Sequence, residues 1–187
     1  MRQFMWSAAL AASFLVAGAL PAVAVAQSQP AVVVVVDVDR VVTQSAAGKQ
    51  AMADIETKVQ ALQARANALQ GQLKTEADSI RAGQANNSLA GAALETRVKA
   101  FGDKQQSAQN ELGKLENDIQ RSRAFVLKQI SDRVSPIVAE VMKERGANLA
   151  IPKAATLQHI PGMDITGEVI TRLDKVLPRV STTPPAN

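Results

Sequence analysis

Cysteine and tyrosine are absent from the chain, and histidine and tryptophan each occur once. Without cysteine there is no disulfide, no thiol nucleophile and no Cys-ligated metal site. The lone His159 cannot build a multi-histidine metal site, and no catalytic constellation surrounds it in sequence, so it reads as structural. Aromatic residues make up 3% of the chain although hydrophobic residues reach 47%, because alanine supplies much of the apolar count. Burying one large aliphatic side chain contributes about 1.5–3 kcal/mol; a core of small residues gains less. The composition therefore points to an elongated shape or to self-association rather than to a compact monomer. A phosphate loop is also missing. Gly48-Lys49 has Thr43 where that motif needs its first glycine and Gln50 where it needs Ser or Thr.

Charge of one sign is in short supply as well: 21 basic and 17 acidic residues give +4, mixed along the chain. Such an excess favours acidic partners only weakly. Residues 1–26 have the pattern of a secretory signal. Arg2 gives a positive start, Ser7–Leu20 is apolar, Pro21 breaks the run, and Ala24-Val25-Ala26 offers small residues for cleavage near Ala26. The apolar run is shorter than the ~20 residues of a spanning helix. The expected location is outside the cytoplasm, where neither nucleic acid nor ATP is an expected partner. No cofactor, metal or enzymatic activity is expected.

The mature chain begins with an uninterrupted β-branched run, Ala31–Val38. Branching at Cβ favours strands, and the lack of alternation predicts a strand buried on both faces. An open valine edge is an aggregation hazard, so partner subunits or helices must cover it. Asp37 and Asp39 would share one side of that strand, and strand termination and helix capping account for them most simply. Asp39 is expected to start a short helical turn, and Ser45 to cap a helix running to about Arg81. Its apolar positions form two heptad series: Met52, Val59, Ala66, Leu73, Ile80, and Ile55, Leu62, Leu69, with Glu76 breaking the second. Steps of three and four are a coiled-coil seam.

Residues 82–91 contain two glycines and two asparagines and mark a turn. A second helix follows, from about Ala92 to Arg145. Its seam runs through Leu94, Phe101, Ala108, Leu115, Ser122 and through Val98, Gln105, Leu112, Ile119, Val126. It then shifts to Ile130, Val134, Ile137 and Val141, as a stutter does. Pro136 should kink this helix and Gly146 should end it. Beyond it, Asn148–Ile151 and Ala155–Ile160 are strand candidates. Thr166 is placed to cap a last helix whose apolar face is Ile165, Val169, Leu173 and Val176/Leu177.

The expected fold class is mainly α with a small β head. A long antiparallel helical hairpin, a coiled-coil arm, is inserted between strand elements. The expected organisation is a signal peptide at 1–26, a β-containing oligomerisation head from 27–44 and 146–178, an arm at 45–145 with its tip at 82–91, and a disordered tail at 179–187. Self-association is expected through Val32, Val33, Val34, Val35, Val36, Ile151, Ile165, Val169 and Leu173.

Three segments resemble the Skp/OmpH family of periplasmic chaperones. Val32–Arg40 with Val41-Val42 and Ser45-Ala46-Ala47-Gly48-Lys49 is similar to the family's strand, aspartate and start of the first arm helix. Lys143–Ile151 resembles its helix exit and strand, and Asp164-Ile165-Thr166-Gly167-Glu168-Val169-Ile170 resembles the opening of its last helix. The resemblance implies a jellyfish-like homotrimer with three helical tentacles around a cavity. It also implies binding of unfolded outer-membrane β-barrel proteins in transit, as an ATP-independent holdase. Unfolded barrels alternate apolar and polar residues and many are acidic. The client-facing candidates on the arm are Lys74, Arg81, Arg97, Lys99, Lys104, Arg121 and Arg123. Some family members touch lipopolysaccharide, so anionic lipid is a further candidate partner. The rival readings are a structural coiled-coil envelope adaptor and a lipid- or lipopolysaccharide-binding envelope protein.

Overall fold

The computed structural model of the chain describes residues 30–185; the signal segment expected at 1–26 lies outside them. The head starts with β1 (Val33–Val36), whose Val34, Val35 and Val36 are all buried. The strand is shorter than the valine run because Asp37 ends it. The Asp37 side chain accepts the Arg40 N–H at 2.9 Å and caps α1 (Val38–Gln44), so Val38 and Asp39 are helical. Asp37 and Asp39 consequently do not form a strand-face pair.

Ser45 separates α1 from α2 (Ala46–Ala85) and caps the latter, its Oγ accepting the Gly48 N–H at 3.1 Å. The join depends on Gly48. A Cβ there would lie 1.5 Å from the Val42 carbonyl oxygen, a backbone atom that cannot swing away. After a turn containing Asn87 and Gly91 at positive φ, α3 (Gly91–Glu144) returns antiparallel and runs through Pro136 as one element. At about 1.5 Å per residue, α2 and α3 are roughly 60 and 80 Å long. Gly146, at φ 63°, ends α3. Its N–H donates to the Lys143 carbonyl and the Ala147 N–H to the Met142 carbonyl, the paired closure of a Schellman motif.

β2 (Leu149–Pro152) then pairs with β1 in parallel, Val33 opposite Leu149 and Val36 opposite Pro152. The hairpin is thus the crossover that a parallel pair requires. The other edge of β1 is taken by Asp164 and Ile165, the Ile165 N–H donating to the Val35 carbonyl at 3.0 Å. The second strand expected at Ala155–Ile160 does not form. Lys153–Ala155 and Pro161–Met163 are 3₁₀ turns.

Helix α4 (Thr166–Val176) follows. Thr166 is its first residue rather than its cap. Asp164 Oδ1 accepts the Thr166 N–H at 2.9 Å, while Thr166 Oγ1 accepts the Asp37 N–H at 2.9 Å. One buried hydroxyl thus ties the end of β1 to the start of α4. The head core gathers Val34, Val36 and Val41 with Ile130, Ile137 and Val141 of α3 and Ile165, Val169 and Leu173 around α4. The arm root is therefore part of the head core.

Disorder is expected at 179–187, of which residues 186–187 lie outside the described residues. Val180 is 8% exposed and joins this core, and the backbone of Val180, Ser181 and Thr182 hydrogen-bonds the arm root. Among the described residues, no helix is long and apolar enough to cross a membrane.

Candidate functional site

The arm has few buried positions. Leu69 and Ile80 on α2 and Ala108, Ile119, Ser122 and Val126 on α3 are buried, and most of the remaining surface is exposed. Small residues at Ala66 and Ala108 underfill the seam. Grooves of about 520 and 400 Å³ consequently border Leu69, Leu73 and Ala108. The first adds Phe101 and Leu112; the second is rimmed by Lys104 and Glu111. Both are apolar at the base and polar at the lip.

Ion pairs rather than apolar bulk brace this stretch. Arg65 of α2 reaches Glu111 of α3 through two hydrogen bonds of 2.6 and 2.9 Å. Arg97 and Lys104 of α3 converge on Glu76 of α2 at 2.8 and 3.6 Å, which explains why an acid interrupts the seam there. Hydrogen bonding from Arg97 holds the Glu76 carboxyl below the usual carboxylate range, and Arg65 does the same for Glu111.

The arm cations singled out from sequence are mostly engaged within the arm. Lys74 and Arg81 both pair with Asp78 at 2.8 Å, and Arg121 pairs with Asp118 at 2.8 Å. Arg97 and Lys104 share Glu76. Lys99 and Arg123 are exposed and make no ion pair among the described residues. All seven remain at the surface, where an ion pair is worth about 0–1 kcal/mol, so a charged partner could exchange for the internal one.

In the head, Val34, Val35, Val36, Ile165, Val169 and Leu173 are consumed in the protomer's own core. Val32 is exposed, and Val33 and Ile151 are half-buried. The outer edge of β2 has no strand partner among the described residues. Beside it lies an apolar hollow of about 350 Å³ lined by Val36, Val38, Ile130, Val134 and Ile151. His159 sits in the loop after β2, its Nε2 3.6 Å from Asp164. Lys153 also faces Asp164, at 3.7 Å, and Asp37, at 3.8 Å.

Residues 32–173 match the family model described as outer membrane protein (OmpH-like). The chain belongs to the OmpH-like family. No curated protein matches it. Among solved structures it is similar to a candidate outer membrane chaperone (OmpH-like) from Caulobacter crescentus CB15, with a TM-score of 0.72 and 22% identity over 82% of this chain and 90% of that one. That likeness covers head and arm together and establishes the fold. The OmpH-like match spans both head segments and the whole arm, so the inserted hairpin is part of the family architecture.

Sequence reasoning missed three polar residues at the arm root: Gln50 and Lys58 on α2 and Gln129 on α3. All three hydrogen-bond the tail. Its one sequence signal is Val180, an isolated apolar residue in a Pro/Thr-rich segment. The Arg172 hub was missed too. This guanidinium contacts Glu140, Glu144 and Glu168, and Arg145 adds a second bond to Glu168 at 2.9 Å, fastening α4 to α3.

Proposed function

We propose that the chain is an ATP-independent holdase of the periplasm that keeps unfolded outer-membrane barrel proteins from aggregating. The observation that carries this reading is the underfilled arm: a long two-helix rod with apolar grooves at mid-length and weakly held ion pairs at their rims. An extended client segment alternates apolar and polar side chains, which suits a groove with an apolar floor and a charged lip. Binding only the unfolded client shifts its equilibrium by mass action, with no chemistry required.

The reading includes a homotrimer, three arms around one cavity, so that many weak contacts act together. The free β2 edge and the hollow beside it supply a surface for self-association, with Val32 and Ile151 at its margin. Lys74, Arg81, Arg97, Lys99, Lys104, Arg121 and Arg123 would meet acidic stretches of client by exchanging partners. Membership of the OmpH-like family and the fold shared with the Caulobacter protein support the reading.

The test is dilution of a urea-unfolded barrel protein into buffer containing the mature chain without nucleotide. Suppression of light scattering at near-stoichiometric ratios is expected. Undiminished aggregation would leave a structural envelope adaptor as the better account. Salt-sensitive binding to lipopolysaccharide vesicles with no effect on the client would favour the lipid-binding rival.

A further inference from the structure

The tail after α4 is held almost entirely by its backbone. Gln50 Oε1 accepts the Val180 N–H at 3.1 Å, and Gln50 Nε2 is itself steadied by Asp54. Gln129 treats Ser181 as a neighbouring strand would: its Oε1 accepts the Ser181 N–H at 3.2 Å and its Nε2 donates to the Ser181 carbonyl at 2.8 Å. Lys58 Nζ donates to the Thr182 carbonyl at 2.5 Å and to Ser122 Oγ at 2.9 Å. The arm makes no hydrogen bond to the side chains of Ser181, Thr182 or Thr183. One side chain, Val180, is buried, in the head core.

Recognition of this kind reads the backbone of Val180, Ser181 and Thr182 and a single buried aliphatic residue, with no hydrogen bond from the arm to the neighbouring side chains. We propose that the arm root is a binding site for unstructured polypeptide backbone, occupied in cis by the chain's own tail and opened to segments of unfolded client that displace it. Resting on the holdase reading, this deepens it by naming where a client segment docks. The tail is tethered, so its effective concentration at the site is on the order of millimolar. A lone weak segment does not displace it, whereas a client also held along the arm competes on equal terms. Because Gln50 and Lys58 lie on α2 while Ser122 and Gln129 lie on α3, the docked tail also straps the two helices together, and its release frees the hairpin at its base.

The absence of cysteine from the chain permits a clean test on the full protein. Thr183 is exposed, so Thr183→Cys with a nitroxide label reports on the strap without blocking it. The label is expected to be immobilised in the free protein and to shift to the mobile spectral component when an unfolded barrel protein is added. Light scattering in the same sample records whether the client is captured. The synthetic peptide spanning residues 178–185, added above the tail's effective concentration of about a millimolar, should release the label too, and the same peptide with Val180→Asp should not. In the labelled chain, Gln129→Ala should raise mobility without any ligand. A label that is mobile from the start, or one that stays immobile while client is captured, overturns the proposal and leaves the holdase reading standing. Release by the peptide without capture of client upholds the backbone-reading site and sinks the holdase reading instead.

Discussion

At Gly48 the whole arm is set at its angle to the head. α1 ends and α2 begins within a few residues, and the Val42 carbonyl occupies the space a side chain would need. Gly48→Ala normally favours a helix by about 1 kcal/mol; here it should lower the unfolding temperature, because the clash is with backbone. Ser45→Ala removes the cap and should cost about 1 kcal/mol, read by denaturant unfolding. Leu173 is fully buried, and Leu173→Ala should cost about 2–5 kcal/mol through lost burial and the cavity left behind. These positions were unequally legible in sequence. Leu173 follows from helical periodicity, and Ser45 from its place before a long apolar series. The clash at Gly48 depends on where Val42 points, which no local pattern encodes. Thr166 was misjudged for a similar reason: its hydroxyl serves Asp37, 129 residues away, while Ile165 holds the N-cap position and Asp164 accepts the Thr166 N–H.

Helices α3 and α4 are joined by the Arg172 hub and by Arg145 with Glu168. Hydrogen bonding from Arg172 holds the Glu144 carboxyl below its ordinary value, and Arg145 does the same for Glu168. Asp164 is lowered chiefly by hydrogen bonding to Thr166. Groups with depressed folded pKa values contribute stability above the unfolded value of about 4, and that contribution is lost as pH falls through the depressed values. Thermal unfolding followed from pH 7 downward should show a loss of stability beginning near the ordinary carboxylate range. Arg172→Met should flatten that loss, because it removes the partner. In the arm, Ala66→Leu fills one groove. Slower amide exchange in α2 and weaker capture of unfolded barrel protein are the expected outcomes. The seam itself was readable as a heptad. Its ion pairs were not, because partners such as Arg65 and Glu111 lie 46 residues apart on helices whose register is fixed only by folding. The strand expected at Ala155–Ile160 is bounded instead by 3₁₀ turns at Lys153–Ala155 and Pro161–Met163.

For the molecule as a whole, sequence conveyed the plan of a small β-containing head with an inserted hairpin, since valine clustering, heptads and glycine breaks are each local signals. The course of Val180–Thr182 was hidden, because the meeting of Val180 with the head core and of Gln50, Lys58 and Gln129 with this backbone is tertiary. The proposed assembly would use what the head leaves unused, the β2 edge and its adjoining hollow. A charge introduced at its margin, Ile151→Glu, should dissociate the assembly while the protomer keeps its helical circular dichroism. The measurement that bears most directly on the central claim is sedimentation velocity of the mature chain with and without an unfolded barrel protein. The account predicts an elongated trimer that takes up one client chain and sediments faster with it. A monomer whose sedimentation is unchanged by client would contradict it.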